Sequence, residues 1–98
     1  MNEITSLAEW NAMMVTPGKA LVVWTAPWCA VCPSAVREAQ KVTGATIYHV
    51  EMTQLLAVAT EAGFTSVPVF EVYTNGKIKN RILSFCNAKM LQKAVDEA

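Results

Sequence analysis

Apolar positions along this chain follow two different rhythms. Leu7, Trp10, Met13 and Met14 recur at helical spacing behind Ser6-Leu7-Ala8-Glu9. That tetrad is a capping box, in which the Ser6 hydroxyl accepts from the Glu9 amide and Glu9 reaches back. A helix is predicted from about Leu7 to Met14 with those four side chains inward, ended by Pro17-Gly18. Ile4 fits a very short strand before it. Ala20 to Thr25 is a continuous apolar run rich in β-branched residues, so it predicts a strand covered on both faces. Pro27, Trp28 and Cys29 break the run. Pro33 suits the first turn of a helix that reaches about Lys41 and stops at Gly44. Thr46 to Met52 predicts the next strand, and Thr53 is placed to cap a helix over Gln54–Ala62, closed by Gly63. Val69–Thr74 and Lys77–Leu83 flank Asn75-Gly76, which supplies the positive φ angles of a type I′ hairpin turn. Asn87 caps a last helix from Ala88 to about Glu97, with Cys86 and Leu91 positioned as a hydrophobic staple. The order is (β)αβαβαββα. Strand–helix–strand units give a parallel section, and the closing hairpin adds an antiparallel edge to what is an α/β fold.

Composition narrows what such a fold can serve. A length of 98 residues suits one domain, taken as 1–98, and 53% apolar content is enough for a packed core. Eight basic residues balance eight acidic ones. With no basic run, neither a nucleic acid nor an anionic membrane surface is expected as a partner. No apolar stretch is long enough for a bilayer, and the Met1-Asn2-Glu3 start predicts no secretory signal.

The chemistry lies in the cysteines. Three are too few for a disulfide scaffold and cannot all pair, which predicts an intracellular protein that keeps thiols for chemistry or packing. Cys29 and Cys32 form one Cys-x-x-Cys at the junction of the buried strand and the next helix. Trp28 precedes the pair, and Val67-Pro68 stands just before the hairpin. In that setting the chain resembles the thioredoxin family over nearly its whole length. The resemblance implies a thioredoxin fold, a central mixed sheet of four to five strands flanked by helices on both faces. Two residues between cysteines at a helix start let the sulfurs meet across one turn. The unpaired amides and the dipole there favour a thiolate on the first cysteine. Cys29 is therefore the expected nucleophile on a substrate disulfide, and Cys32 the thiol that resolves the mixed disulfide. By resemblance, Pro68 is the family's cis-proline and orients the substrate backbone. Trp28, Ala30, Val31, Val67, Ser84 and Phe85, with Leu83, form an apolar docking surface for extended polypeptide. The same resemblance implies protein disulfide substrates, no bound cofactor, electrons from a flavoenzyme of the thioredoxin reductase type, and a cytoplasmic monomer. Zinc is the competing use of the pair. One Cys-x-x-Cys supplies two of the usual four ligands, and Cys86 and His49 would complete the set only by accident of folding, so no metal is expected.

Departures from the family pattern sharpen the question of proton transfer. The family usually carries a buried aspartate in the strand before the motif, and here that position is Val23. The position that pairs with it falls on His49, the only histidine. An imidazole, with an ordinary pKa of about 6.5, could take over part of the proton transfer to or from Cys32. The plainer reading is a strand histidine that packs and hydrogen-bonds. Glu71 is the second candidate, as a displaced acid in a central strand. Its plainer reading places it across the hairpin from Asn80 on an open face. Ala30-Val31 puts no donor between the cysteines to stabilise a thiolate strongly, which argues for a reductant and not an oxidase. Cys86 is read as a packing residue or a regulatory thiol. Met13, Met14, Met52 and Met90 are read as core filler, and Thr25 occupies a place where many family members carry a tryptophan.

Two further functions compete with a protein disulfide reductase. One is a glutaredoxin-like donor fed by glutathione, which the short length and Cys86 support. The other is a thioredoxin-fold binding module that docks a partner enzyme without redox use, which Val23 and Ala30-Val31 permit.

Overall fold

The computed structural model describes residues 1–98. Its strands are β1 (Asn2–Ile4), β2 (Lys19–Thr25), β3 (Thr46–Glu51), β4 (Val69–Thr74) and β5 (Lys77–Ile82). Its helices are α1 (Leu7–Met14), α2 (Cys32–Gln40), α3 (Leu56–Ala62) and α4 (Ala88–Asp96). The strands form one sheet in the order β1-β3-β2-β4-β5, with β1, β3 and β2 parallel and β4 and β5 antiparallel.

The unbroken apolar run of β2 follows from its central place. Ala20, Val22 and Trp24 pack with Trp10, Met13, Val50, Leu55, Phe64 and Val69 on the face covered by α1 and α3. Leu21 and Val23 pack with Ala35, Ala39, Phe70, Val72, Leu91 and Val95 on the face covered by α2 and α4. Alternate residues of one strand feed two cores, so no position from Ala20 to Trp24 is free to be polar. The Trp24 ring lies 5.3 Å from Trp10 and 5.1 Å from Phe64 by centroid, each pair tilted or edge-on. Such pairs contribute about 0.5–1.5 kcal/mol each beyond the area they bury.

Several expectations need correction. Leu7 is exposed and lines an open cleft with Val58 and Ala62 of α3, so Trp10 and Met13 carry the buried side of α1, with Met14 partly buried against the same core. Thr53 caps nothing. Met52–Gln54 form a 3-10 turn instead, because Met52 and Leu55 are both drawn into the core, and α3 starts only at Leu56. Met90 is exposed, since one step along α4 from buried Leu91 turns a side chain by about 100° away from the core. Glu71 does not reach an open face. It is 1% exposed and stands opposite Arg81, while Asn80 opposes Val72.

Phe70 and Val72 point to the α2/α4 side, so Glu71 between them enters the other layer. There its Oε1 accepts from the Trp24 indole N–H at 2.6 Å, and its Oε2 accepts from Arg81 Nη2 at 2.8 Å and Nε at 2.9 Å. Burial first, and this neighbouring carboxylate second, hold the Tyr73 phenol well above its ordinary pKa.

The hairpin tip is anchored as its sequence suggests. Asn75 and Gly76 have φ of 51° and 78°. The Asn75 side-chain oxygen accepts from Gly18 N–H at 2.7 Å, and the Asn75 N–H donates to the Gly18 carbonyl at 2.9 Å. A Cβ at residue 76 would collide with the Met14 carbonyl oxygen, so the close approach of α1 demands glycine as much as the φ angle does. The outer strand β5 leaves Lys77, Lys79, Asn80 and Arg81 exposed, and the opposite edge is the three-residue β1.

Candidate active site

Where β2 ends, the chain turns sharply into α2. Ala26 is buried at the turn, and its carbonyl accepts from the Cys29 N–H at 3.2 Å. The Cys29 carbonyl in turn accepts from the Cys32 N–H at 3.3 Å. No side chain caps α2, Pro33 occupies its first turn, and no acidic residue lies there. The free amides and positive dipole end of the helix therefore face the cysteines without a competing anion.

Cys29 and Cys32 are joined by a disulfide, with Cα atoms 5.4 Å apart. The two sulfurs are not equivalent. Cys32 is 3% exposed, whereas Cys29 is only half-buried. An incoming thiol meets Cys29 first, and Cys32 can act only from within. The Val67 carbonyl oxygen lies 3.7 Å from the Cys29 sulfur, and the Val67–Pro68 peptide is cis, with Pro68 buried. Trp28 and Val31 are 65% and 49% exposed beside the pair, and Ala30 is exposed between the cysteines.

Behind the sulfurs lies a cleft of about 280 Å³ lined by Thr25, Ala26, Pro27, Cys29, Cys32, Pro33, Val36 and His49. Val23 is fully buried beneath this region and offers no polar atom. His49 pairs with Val23 on one side and with Glu3 on the other. Its Nε2 lies 2.6 Å from Thr25 Oγ1, and its Nδ1 lies 2.6 Å from Glu3 Oε1. No three of the His, Cys, Asp and Glu side chains are placed to hold a metal ion.

The structure therefore brings His49 to the cysteine cleft but not Glu71. The sheet separates the Glu71 carboxylate from α2, and Trp24 and Arg81 occupy it, so the displaced-acid role is withdrawn. Leu83 and Phe85 are 62% and 45% exposed. Ser84 and Phe85 line a second cleft, with Cys86 and Met90, and not the one behind the sulfurs. Cys86 is buried in the α2/α4 core next to Leu91, and that burial pushes its thiol up. In reduced, folded protein at pH 8, iodoacetamide should alkylate Cys29 and leave Cys86 untouched until denaturant is added. Peptide mass spectrometry reads this directly, and equal modification of Cys29 and Cys86 in the folded state would contradict it.

Sequence reasoning missed Glu3 and the hydroxyl of Thr25. The signal for Glu3 was a register, residue 3 beside residue 49, and a three-residue strand is too short to show one. Thr25 registered as a missing tryptophan, which hid what its hydroxyl could bond.

Comparison with known proteins agrees with this geometry. The family model described as Thioredoxin matches residues 2–97. Thioredoxin-1 of Schizosaccharomyces pombe is 26% identical over 94 residues, spanning 92% of this chain and 91% of that protein. An H-type thioredoxin of Ricinus communis is 30% identical over 86 residues, spanning 80% and 73%. Among solved structures, Plasmodium falciparum thioredoxin superposes with a TM-score of 0.81 at 24% identity, covering 99% of this chain and 98% of that one. Oxidised mitochondrial thioredoxin 3 of Saccharomyces cerevisiae gives 0.84 at 19% identity, covering 100% and 95%. At those identities the structures speak for the fold.

Proposed function

The chain belongs to the thioredoxin family, and we propose that within it this protein works mainly as a protein disulfide reductase. Thiol–disulfide oxidoreductase chemistry on protein disulfides is the activity of the family, and Cys29 and Cys32 are the redox pair. The observation that carries the reading is their asymmetry, a half-buried sulfur at an uncapped helix start joined to one that is 3% exposed. Reduced Cys29 attacks a substrate disulfide, releases one substrate thiol and holds the other as a mixed disulfide. Cys32 then attacks Cys29, closes the pair and frees the second thiol. Trp28, Ala30, Val31 and Val67 supply apolar surface for the polypeptide around that step, with Pro68 behind the Val67 carbonyl. Ser84 and Phe85 extend it.

The same reading takes the protein as a cytoplasmic monomer that binds no cofactor of its own. A thioredoxin reductase-type flavoenzyme returns the electrons. No helix is long and apolar enough to cross a membrane. Neither glutathione as the donor nor a redox-silent docking module is favoured by the family match. Insulin-disulfide reduction tests the reading. Turnover is expected with NADPH and the flavoenzyme and absent above background with glutathione and glutathione reductase. Turnover with glutathione alone would transfer the protein to the glutathione-fed class, and an inert protein with intact thiols would end the enzymatic reading.

A further inference from the structure

We infer that Glu3, His49 and Thr25 form a proton path to Cys32, doing the work for which Val23 offers no group. The inference rests on the reading of Cys32 as the resolving thiol. The parallel registers Glu3↔His49 and Val23↔His49 bring the three residues onto the sheet face that α2 covers. An ionised carboxylate only accepts, so the 2.6 Å contact with Glu3 places the imidazole proton on Nδ1. In the neutral imidazole Nε2 is then an acceptor, and the Thr25 hydroxyl, 2.6 Å away, donates to it. In that arrangement the Thr25 oxygen keeps lone pairs for a further donor, and it lines the same cleft as Cys32. Thr25 and Cys32 are 7% and 3% exposed, so a proton leaving the Cys32 thiol meets the cleft before it meets bulk water. The cleft also has room for a bridging water.

The surrounding charges leave this path intact. Glu51, opposite Thr25 in the sheet, is the other carboxylate on this face. Lys19 is tied to the Val95 carbonyl at the far end of β2, and Arg37 to the Ser34 hydroxyl. The first turn of α2 has no acidic residue, and its titratable group here is Cys32 itself.

In the mixed-disulfide state, the Cys32 proton passes to Thr25 Oγ1 while the Thr25 proton passes to His49 Nε2. The resulting imidazolium is balanced by Glu3. The Cys32 thiolate forms a bond to the Cys29 sulfur, and the bond from Cys29 to the substrate sulfur breaks. The substrate sulfur leaves with that electron pair as a thiolate and is reprotonated through solvent by the proton His49 held. Two electrons pass from the cysteine pair to the substrate disulfide over the whole cycle. His49 holds the proton, and Glu3 is a positioning residue acting through it.

The test uses stopped-flow reaction of the full-length reduced protein with a small aromatic disulfide whose released thiolate is coloured. The first, concentration-dependent release reports attack by Cys29, and the second, first-order release reports resolution by Cys32. In the wild type the second phase is expected to rise with pH. His49→Gln should slow that phase by about tenfold or more, the low side of what a positioned base contributes. It should also move the inflection toward the ordinary thiol value of about 8.5. Glu3→Gln, at an exposed position, should slow the second phase by less than His49→Gln does, because the imidazolium loses the charge that balances it. The first phase should stay unchanged in both variants. An unaltered second phase in His49→Gln or in Glu3→Gln overturns the proton path while leaving the reductase reading in place. A wild type that releases only one coloured thiolate per molecule removes Cys32 as the resolving thiol and the path with it.

Discussion

Cys32→Ser is expected to accumulate as a covalent adduct with its protein substrate, joined through Cys29, while disulfide turnover falls by about a thousandfold or more, as when one member of a concerted catalytic set is removed. The reason is the division of labour between the sulfurs. Cys29, half-buried at the start of α2, still attacks and still releases the first substrate thiol. A serine hydroxyl cannot then displace the second, because a neutral alcohol is a poor nucleophile toward sulfur and its alkoxide is inaccessible near neutral pH. Cys29→Ser, by contrast, should lose adduct formation and turnover together, since the 3% exposed Cys32 has no approach to a polypeptide. Insulin reduction measures turnover, and intact-mass analysis under non-reducing conditions measures the adduct. An adduct on Cys29→Ser through Cys32, or a Cys32→Ser protein that turns over normally, would reverse the assignment.

Arg81→Met should cost about 3 kcal/mol of folding stability, the low end of what is lost when one member of a buried ion pair is removed. The low end applies because the Arg81 side chain is 32% exposed and water can partly replace it, whereas the Glu71 side chain is 1% exposed. The loss arises less from the missing attraction than from what remains, a carboxylate in an apolar layer that keeps the Trp24 indole and the neighbouring Tyr73 but has no counter-charge. Adding Glu71→Gln to Arg81→Met should therefore recover most of the loss, since the amide oxygen still accepts from Trp24 and no charge is stranded. Urea unfolding of the two variants and the parent decides the matter. An Arg81→Met midpoint equal to that of the wild type at unchanged slope would show that the pair contributes nothing to stability.

These two residues also show where a sequence stops being informative. The run from Ala20 to Thr25 announced a doubly covered strand, and the Asn75-Gly76 turn announced its hairpin, because each is a local pattern with one physical solution. Cys29, Cys32 and Pro68 were legible for a related reason, as residue types at fixed spacing around a strand-to-helix junction. Glu71 was misread because its facing partner depends on a shift in the β4–β5 ladder between Val72 and Tyr73. Such a bulge exchanges the residue opposite a position without leaving a mark in the alternation. The caps at Ser6 and Asn87 were found because they act on amides three residues away. The start of α3 was not, because it is set by two core residues, Met52 and Leu55, pulling a tight turn. His49 was suspected from its strand position, but its two partners come from β1 and β2 and meet only after the sheet is assembled.

The outer rims of the sheet carry a consequence for how crowded molecules behave. A strand at a rim exposes unused amides and carbonyls to any neighbouring chain. Here one rim offers only Asn2 to Ile4, too short to template a neighbour. The other offers Lys77, Lys79 and Arg81 in a single strand. Arg81 is further held by a buried carboxylate, so it cannot swing clear. A second copy trying to zip alongside would have to strip water from Lys77 and Lys79 and set like against like. A chain that is 53% apolar and has no net charge lacks overall repulsion as a defence against clumping. It concentrates that defence in a few cations on the one strand where it counts.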